Sequence, residues 1–187
     1  MTSHASARKL TYDDLLSWPD DGLRHELIDG EQRVSPSPAL LHQRVSRRLL
    51  VAFAKYLEVR PIGEVFAAPV DVVLSLFDVC VPDLVVVLDD QKRILTPAAV
   101  KGAPALVIEI ASPGSHRFDS GRKRRLYESR GVREYWLVSP EARTIERHSL
   151  AGGAFASELF DADAVLTSPL LPGFSLTLTS LWADARI

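Results

Sequence analysis

The sequence is short of the residues on which many familiar chemistries depend. Cysteine occurs once, at Cys80, which excludes an internal disulfide framework and a cysteine-based zinc site and fits a reducing, cytoplasmic setting. The histidines His4, His25, His42, His116 and His148 form no HxxxH or HxH pair, so a zinc hydrolase is not expected. There is no glycine-rich phosphate loop of the Walker or Rossmann kind and no GxSxG elbow, which removes the usual nucleotide-binding and serine-hydrolase readings. Apolar runs are short, LVVVL at 84–88 being representative, and fall far below the roughly 20 residues that cross a bilayer. No membrane partner is therefore expected. The opening MTSHASARK has no apolar stretch of the secretory type, so residues 1–9 read as a flexible tail.

What is present is the composition of a packed protein, with 47% hydrophobic and 25% charged residues in a chain of 187. Against about 150 residues per domain, that length predicts one domain over 10–187. Charge is unevenly placed. The formal net charge is −2, yet residues 117–133 carry seven bases (Arg117, Arg122, Lys123, Arg124, Arg125, Arg130 and Arg133) against Asp119 and Glu128. Such a strip is either a solvated helix face or a track for a phosphate backbone, with Arg122, Arg124 and Arg125 as the candidate nucleic-acid contacts.

Local patterns divide the chain. Thr11 and Asp14 make a capping signature ahead of Leu15, Leu16 and Trp18, predicting a short helix that ends near Pro19. Asp29-Gly30 between His25–Ile28 and Glu31–Ser35 predicts a two-residue hairpin. Leu41, Val45, Leu49, Ala52, Phe53 and Tyr56 recur at helical spacing and predict the longest helix, to about Val59. Strands are expected at 64–69, 70–75, 83–88, 105–111 and 134–139, with 144–150 pairing with the last of these or with 154–160. A helix from about Asp119 to Arg130 is stopped by Gly131. The sum is an α+β fold built on a mixed sheet.

Two carboxylates stand where burial is costly. Asp83 opens VPDLVVVL and Glu109 sits inside ALVIEIAS, and an ionised acid in an apolar strand needs a cation or a metal beside it. If the two strands pair, both acids point at one site and offer the hard oxygen donors that Mg²⁺ or Mn²⁺ takes. Asp83 also fits a turn residue at a strand start. Lys123, in the basic helix downstream, is the natural cation beside them; it shares a helix face with Tyr127 and Arg130. Glu26 is a third candidate acid, or an exposed hairpin charge. His42, Tyr127 and, beside Glu26, His25 are candidates to line the site, the more ordinary reading of the two histidines being surface or capping residues.

Pro82-Asp83, Glu109 after a spacing of 26, and a following lysine resemble the PD-(D/E)XK nuclease superfamily. More specifically, LTYDDLLSWPDDGLRHELIDGEQRVSPSP, the helix opening LLHQRV, APVDVVLS, VPDLVVV, KGAPALVIEIASPGS, DSGRKRRLYESRGVREYWLVSP and LLPGFSLTLTSLW together resemble the bacterial Uma family of restriction-endonuclease-like proteins. The superfamily lysine usually stands two residues after the glutamate, where this chain has Ala111; the family takes it from the next helix, at the position of Lys123. The resemblance implies a restriction-endonuclease-like mixed sheet flanked by helices, with added N- and C-terminal hairpins. It further implies a Mg²⁺- or Mn²⁺-dependent endonuclease acting on DNA, with Asp83 and Glu109 as metal ligands and Lys123 and Glu26 completing the catalytic set. Cutting both strands takes two active sites, so a homodimer is expected. The competing reading is a catalytically silent DNA-binding or protein-interaction module on the same fold, against which a carboxylate kept inside ALVIEIA argues.

Overall fold

The computed structural model describes residues 8–35, 37–112 and 119–183, the side chains of 119 and 120 excepted. Most of the tail therefore lies outside the described residues. Of its last two members, Arg8 pairs with Asp14 and Lys9 with Asp29.

The first helix, α1 (Tyr12–Leu16), begins where the capping signature places it: the Thr11 side chain accepts from the Asp14 amide and the Asp14 carboxylate accepts from the Thr11 amide. Strands β1 (Arg24–Ile28) and β2 (Glu31–Ser35) pair with Ile28 opposite Glu31, across a turn in which Asp29 has φ 55° and Gly30 φ 73°. That pair of positive φ values is what Asp-Gly tolerates. The long helix α2 (Leu40–Val59) buries Val45, Leu49, Phe53 and Leu57 on one stripe.

The remaining strands are β3 (Gly63–Ala67), β4 (Asp71–Ser75), β5 (Asp78–Cys80), β6 (Leu84–Leu88), β7 (Ala99–Lys101), β8 (Leu106–Ile110), β9 (Glu134–Ser139), β10 (Thr144–Ala151), β11 (Ala154–Phe160), β12 (Val165–Thr167) and β13 (Ser175–Thr177). Between β8 and β9 run a π turn (Asp119–Lys123) and α3 (Arg124–Arg130), and α4 (Leu178–Trp182) closes the described chain. Among the described residues no helix is long and apolar enough to cross a membrane.

The fold is α+β, with mixed sheets flanked by helices. A six-stranded sheet has the order β11-β10-β9-β8-β6-β3, a five-stranded sheet β2-β1-β5-β4-β7, and β12 pairs with β13. The N-terminal hairpin is thus no appendage: β1 joins β5, and so becomes part of the second sheet. Strand β10 pairs with both β9 and β11, so the two pairings that the sequence left open both form.

Alternation sorts the six-stranded sheet into two faces. Leu84, Val86, Ile108 and Trp136 pack against α2 and α4, whereas Val85, Val87, Val107 and Tyr135 face α3 and the five-stranded sheet. Burying Phe53 in the first layer contributes on the order of 3 kcal/mol by the usual cost of deleting such a ring. The second layer holds the functional candidates. Strands β8 and β9 are parallel, and parallel neighbours need a crossover, usually helical; that requirement lays α3 over the sheet face onto which Glu109 projects.

Candidate active site

Four charged side chains that the sequence singles out from separate segments meet between the two sheets. Glu26, Asp83, Glu109 and Lys123 are each no more than 5% exposed. The Lys123 Nζ lies 2.8 Å from Glu26 Oε1 and 2.9 Å from Glu109 Oε1, so one ammonium is shared by two carboxylates. Glu26 is not an exposed hairpin charge. Its Oε1 also accepts the Val81 amide at 2.8 Å, fastening the end of β5.

Tyr127, one helical turn after Lys123, donates its hydroxyl to Glu109 Oε1 at 2.7 Å. The i, i+4 spacing on a π-to-α junction thereby puts an ammonium and a phenol on the same carboxylate oxygen. Burial first, then the neighbouring Cys80, Glu109 and Glu26, push the Tyr127 hydroxyl well above the ordinary tyrosine range, so it keeps its proton and donates. The Cys80 thiol in the same layer is likewise pushed up by burial and by Glu26, which leaves it a small packed group without nucleophilic character.

Asp83 stands beside this group. Strand β6 pairs with β8 with Leu84 opposite Ile108, and the register carried one residue further sets Asp83 opposite Glu109, on one face. Asp83 Oδ2 accepts the Ile110 amide at 2.8 Å and lies 3.0 Å from His42 Nε2, while Oδ1 lies 3.3 Å from Arg24 NH1. Burial alone would raise this carboxyl. The hydrogen bond and charge of His42, the Ile110 amide and Arg24 outweigh burial and hold it below the ordinary aspartate range. His42 is thus neither a surface nor a capping residue; its Nδ1 is buried and has no hydrogen-bond partner among the described residues.

The basic strip is placed differently. Arg122 turns onto Glu31 Oε2 at 2.7 Å and the Ile28 carbonyl at 3.2 Å, Arg130 onto Asp78 at 2.6 Å and Arg133 onto Asp90 at 2.6 Å. With Lys123 inside the site, these bases are matched by acids from distant segments. Arg125 is exposed and donates to the Gly121 carbonyl, Arg124 is half-buried on α3, and Arg117 lies outside the described residues. His25 takes no part in the site, its ring lying 2.9 Å from both Asp21 and Gln32.

Arg24 was not signalled by motif reading. The signal was present in the alternation of β1, where Arg24 and Glu26 stand two residues apart and so share a face.

Among the described residues no group of three or more His, Cys, Asp or Glu is disposed to hold a metal ion. Mg²⁺ does not require such a cage, because it is ordinarily held by one or two carboxylates and takes its other ligands from water and phosphate. Asp83 and Glu109 meet that need in donor type and number. Chemically, the site combines carboxylate oxygens with an ammonium on the same small volume, the combination that stabilises charge at a phosphorus centre.

The family model described as "Uma2: Putative restriction endonuclease" matches residues 12–179. An uncharacterized protein of Synechocystis, slr1290, is 27% identical over 143 residues, which cover 74% of this chain and 73% of that protein. The crystal structure of a "putative nuclease belonging to DUF820" from Anabaena variabilis superposes with a TM-score of 0.80 at 20% identity, covering 95% of this chain and 99% of the other. At that identity the likeness speaks for the fold.

Proposed function

This chain belongs to the Uma2 family of restriction-endonuclease-like proteins, and from that premise and the geometry above we propose that it is a divalent-metal-dependent nuclease hydrolysing phosphodiester bonds of DNA. The observation that carries the reading is the buried Lys123 ammonium held jointly by Glu26 and Glu109, with Asp83 opposite Glu109. Asp83 and Glu109 would hold Mg²⁺ or Mn²⁺, which when bound supplies Lewis-acid stabilisation of phosphate charge and a water of lowered pKa.

The other parts follow from the side chains. Glu26 orients the lysine, and Tyr127 fixes the Glu109 carboxylate through the same oxygen that meets Lys123. His42 and the Ile110 amide fix Asp83. Lys123 places positive charge where negative charge builds on the phosphate oxygens. Arg124 and Arg125 remain the members of the strip proposed to meet the backbone of the duplex, and a homodimer would bring two sites to its two strands.

The test is cleavage of single- and double-stranded DNA by purified protein with Mg²⁺ or Mn²⁺. Wild type should cut, and Glu109→Gln and Asp83→Asn should not. The melting temperature should rise with either metal in wild type but not in Asp83→Asn, and light scattering should give twice the chain mass. One observation favours the silent module: Asp83 and Glu109 accept from protein donors, and among the described residues there is no ready-made cage. DNA binding without cleavage under either metal would make that the better reading.

A further inference from the structure

We propose that Arg24 is the phosphate-binding residue at the mouth of this site, its guanidinium taking the oxygens of a phosphodiester as the strand enters. The inference rests on the nuclease reading and deepens it. An anion approaching three buried carboxylates needs a cation that is not already committed to them, and Lys123 is held between two glutamates. Arg122, a second cation near the hairpin, is engaged by Glu31 and the Ile28 carbonyl, as Arg33 is by Glu31 and Lys9 by Asp29.

Arg24 differs from both. Its side chain is 27% exposed, against 7% for the Asp83 side chain it touches and 5% for that of Lys123; it is the charged group that joins the buried cluster to solvent. Its contact with Asp83 is loose, 3.3 Å, where charge-assisted hydrogen bonds of this type run to about 2.8 Å. Among the described residues the guanidinium makes this one hydrogen bond, although it carries five donors in a planar fork that matches phosphate oxygens two at a time. Alternation along β1 fixes its direction, since Arg24 shares a face with Glu26, which is buried against Lys123. The residue is therefore anchored by Asp83 at one nitrogen while donors remain for an incoming anion.

The experiment measures binding of a short fluorescein-labelled DNA duplex in EDTA, which prevents cleavage, across a series of salt concentrations. Arg24→Gln should bind several-fold more weakly, with a salt slope shallower by about one, the signature of one lost phosphate contact. Arg24→Lys should keep the slope and lose part of the affinity, because an ammonium cannot reproduce the fork.

Thermal melts run alongside. If Arg24→Gln fails to fold, Arg24→Lys decides, and wild-type affinity in that variant overturns the proposal. A folded Arg24→Gln protein with lowered melting temperature but unchanged affinity and slope also overturns it, leaving Arg24 as a brace for Asp83. If wild type binds the duplex and Arg24→Gln is indistinguishable from it, the phosphate contact falls while the nuclease reading stands. If wild type does not bind at any salt, both fall.

Discussion

Two glutamates lie buried in neighbouring strands of one sheet, Glu109 on β8 and Glu134 on β9, on opposite faces and in opposite company. Glu109 receives the Lys123 ammonium and the Tyr127 hydroxyl on one oxygen. Glu134 is fully buried and accepts the Trp136 indole N–H at 2.5 Å and the Ser168 hydroxyl at 3.0 Å. Burial pushes the Glu134 carboxyl above the ordinary glutamate value of 4.5, and these two neutral donors, with Arg147 at a distance, recover only part of the shift. Burial of an acid is therefore no mark of function. What separates the two is the partner: Glu134 joins the loop before β13 to the main sheet through neutral groups, while Glu109 is built into a cluster of charges.

The largest way to break that contrast is Lys123→Met. Without the shared ammonium, Glu26 and Glu109 face each other in a buried site, and the variant should lose about 3–5 kcal/mol at neutral pH by urea denaturation. Equal stability at neutral pH would mean that the cluster carries no ion pair.

Asp78 sharpens the comparison, because it is charged and structural at once. It accepts the Asp29 amide at 2.8 Å, the Ser75 hydroxyl at 2.6 Å and Arg130 at 2.6 Å, tying the hairpin turn, the β4–β5 turn and the end of α3 together. Burial raises its carboxyl, and these donors more than reverse the effect. Its contribution is thus complete above the ordinary aspartate value of 3.8 and is lost as pH falls through the depressed value. Asp78→Asn should cost about 2 kcal/mol at neutral pH, and the gap to wild type should close in acid. A gap that persists unchanged in acid would contradict the ionic account.

Glu134→Gln should have the smallest effect, within about 1 kcal/mol, and the opposite sign of pH dependence. Between 4.5 and its raised value the folded state binds more protons than the unfolded one, so wild-type stability relative to the variant should fall as pH rises through that window. A difference that is flat with pH would place Glu134 among the ionised acids and erase the contrast.

Local chemistry made much of the fold legible. The Thr11–Asp14 cap, the Asp29-Gly30 turn and the apolar stripe of α2 are each written within a few residues, and the structure places them where the sequence does. Glu109 was legible because an acid amid Leu, Val and Ile needs a partner. Strands β5 and β7 were not, being three residues each and defined by what they pair with rather than by any period of their own. The fate of the basic strip was also hidden, since Arg122 meets an acid 91 positions away. Glu134 passed unnoticed because it opens a strand, where an acid ordinarily reaches solvent.

The lysine of this site is supplied from the junction between a π turn and α3, fourteen positions beyond the glutamate it meets, while the position two after Glu109, just past the end of β8, is a half-exposed alanine. Genome scans keyed to a glutamate and lysine separated by one residue will pass over chains built this way. A sturdier search key is spatial: an acid inside an apolar strand, followed across a crossover by Lys-x-x-x-Tyr at the opening of a helix, with a second acid on the strand of an Asp-Gly hairpin.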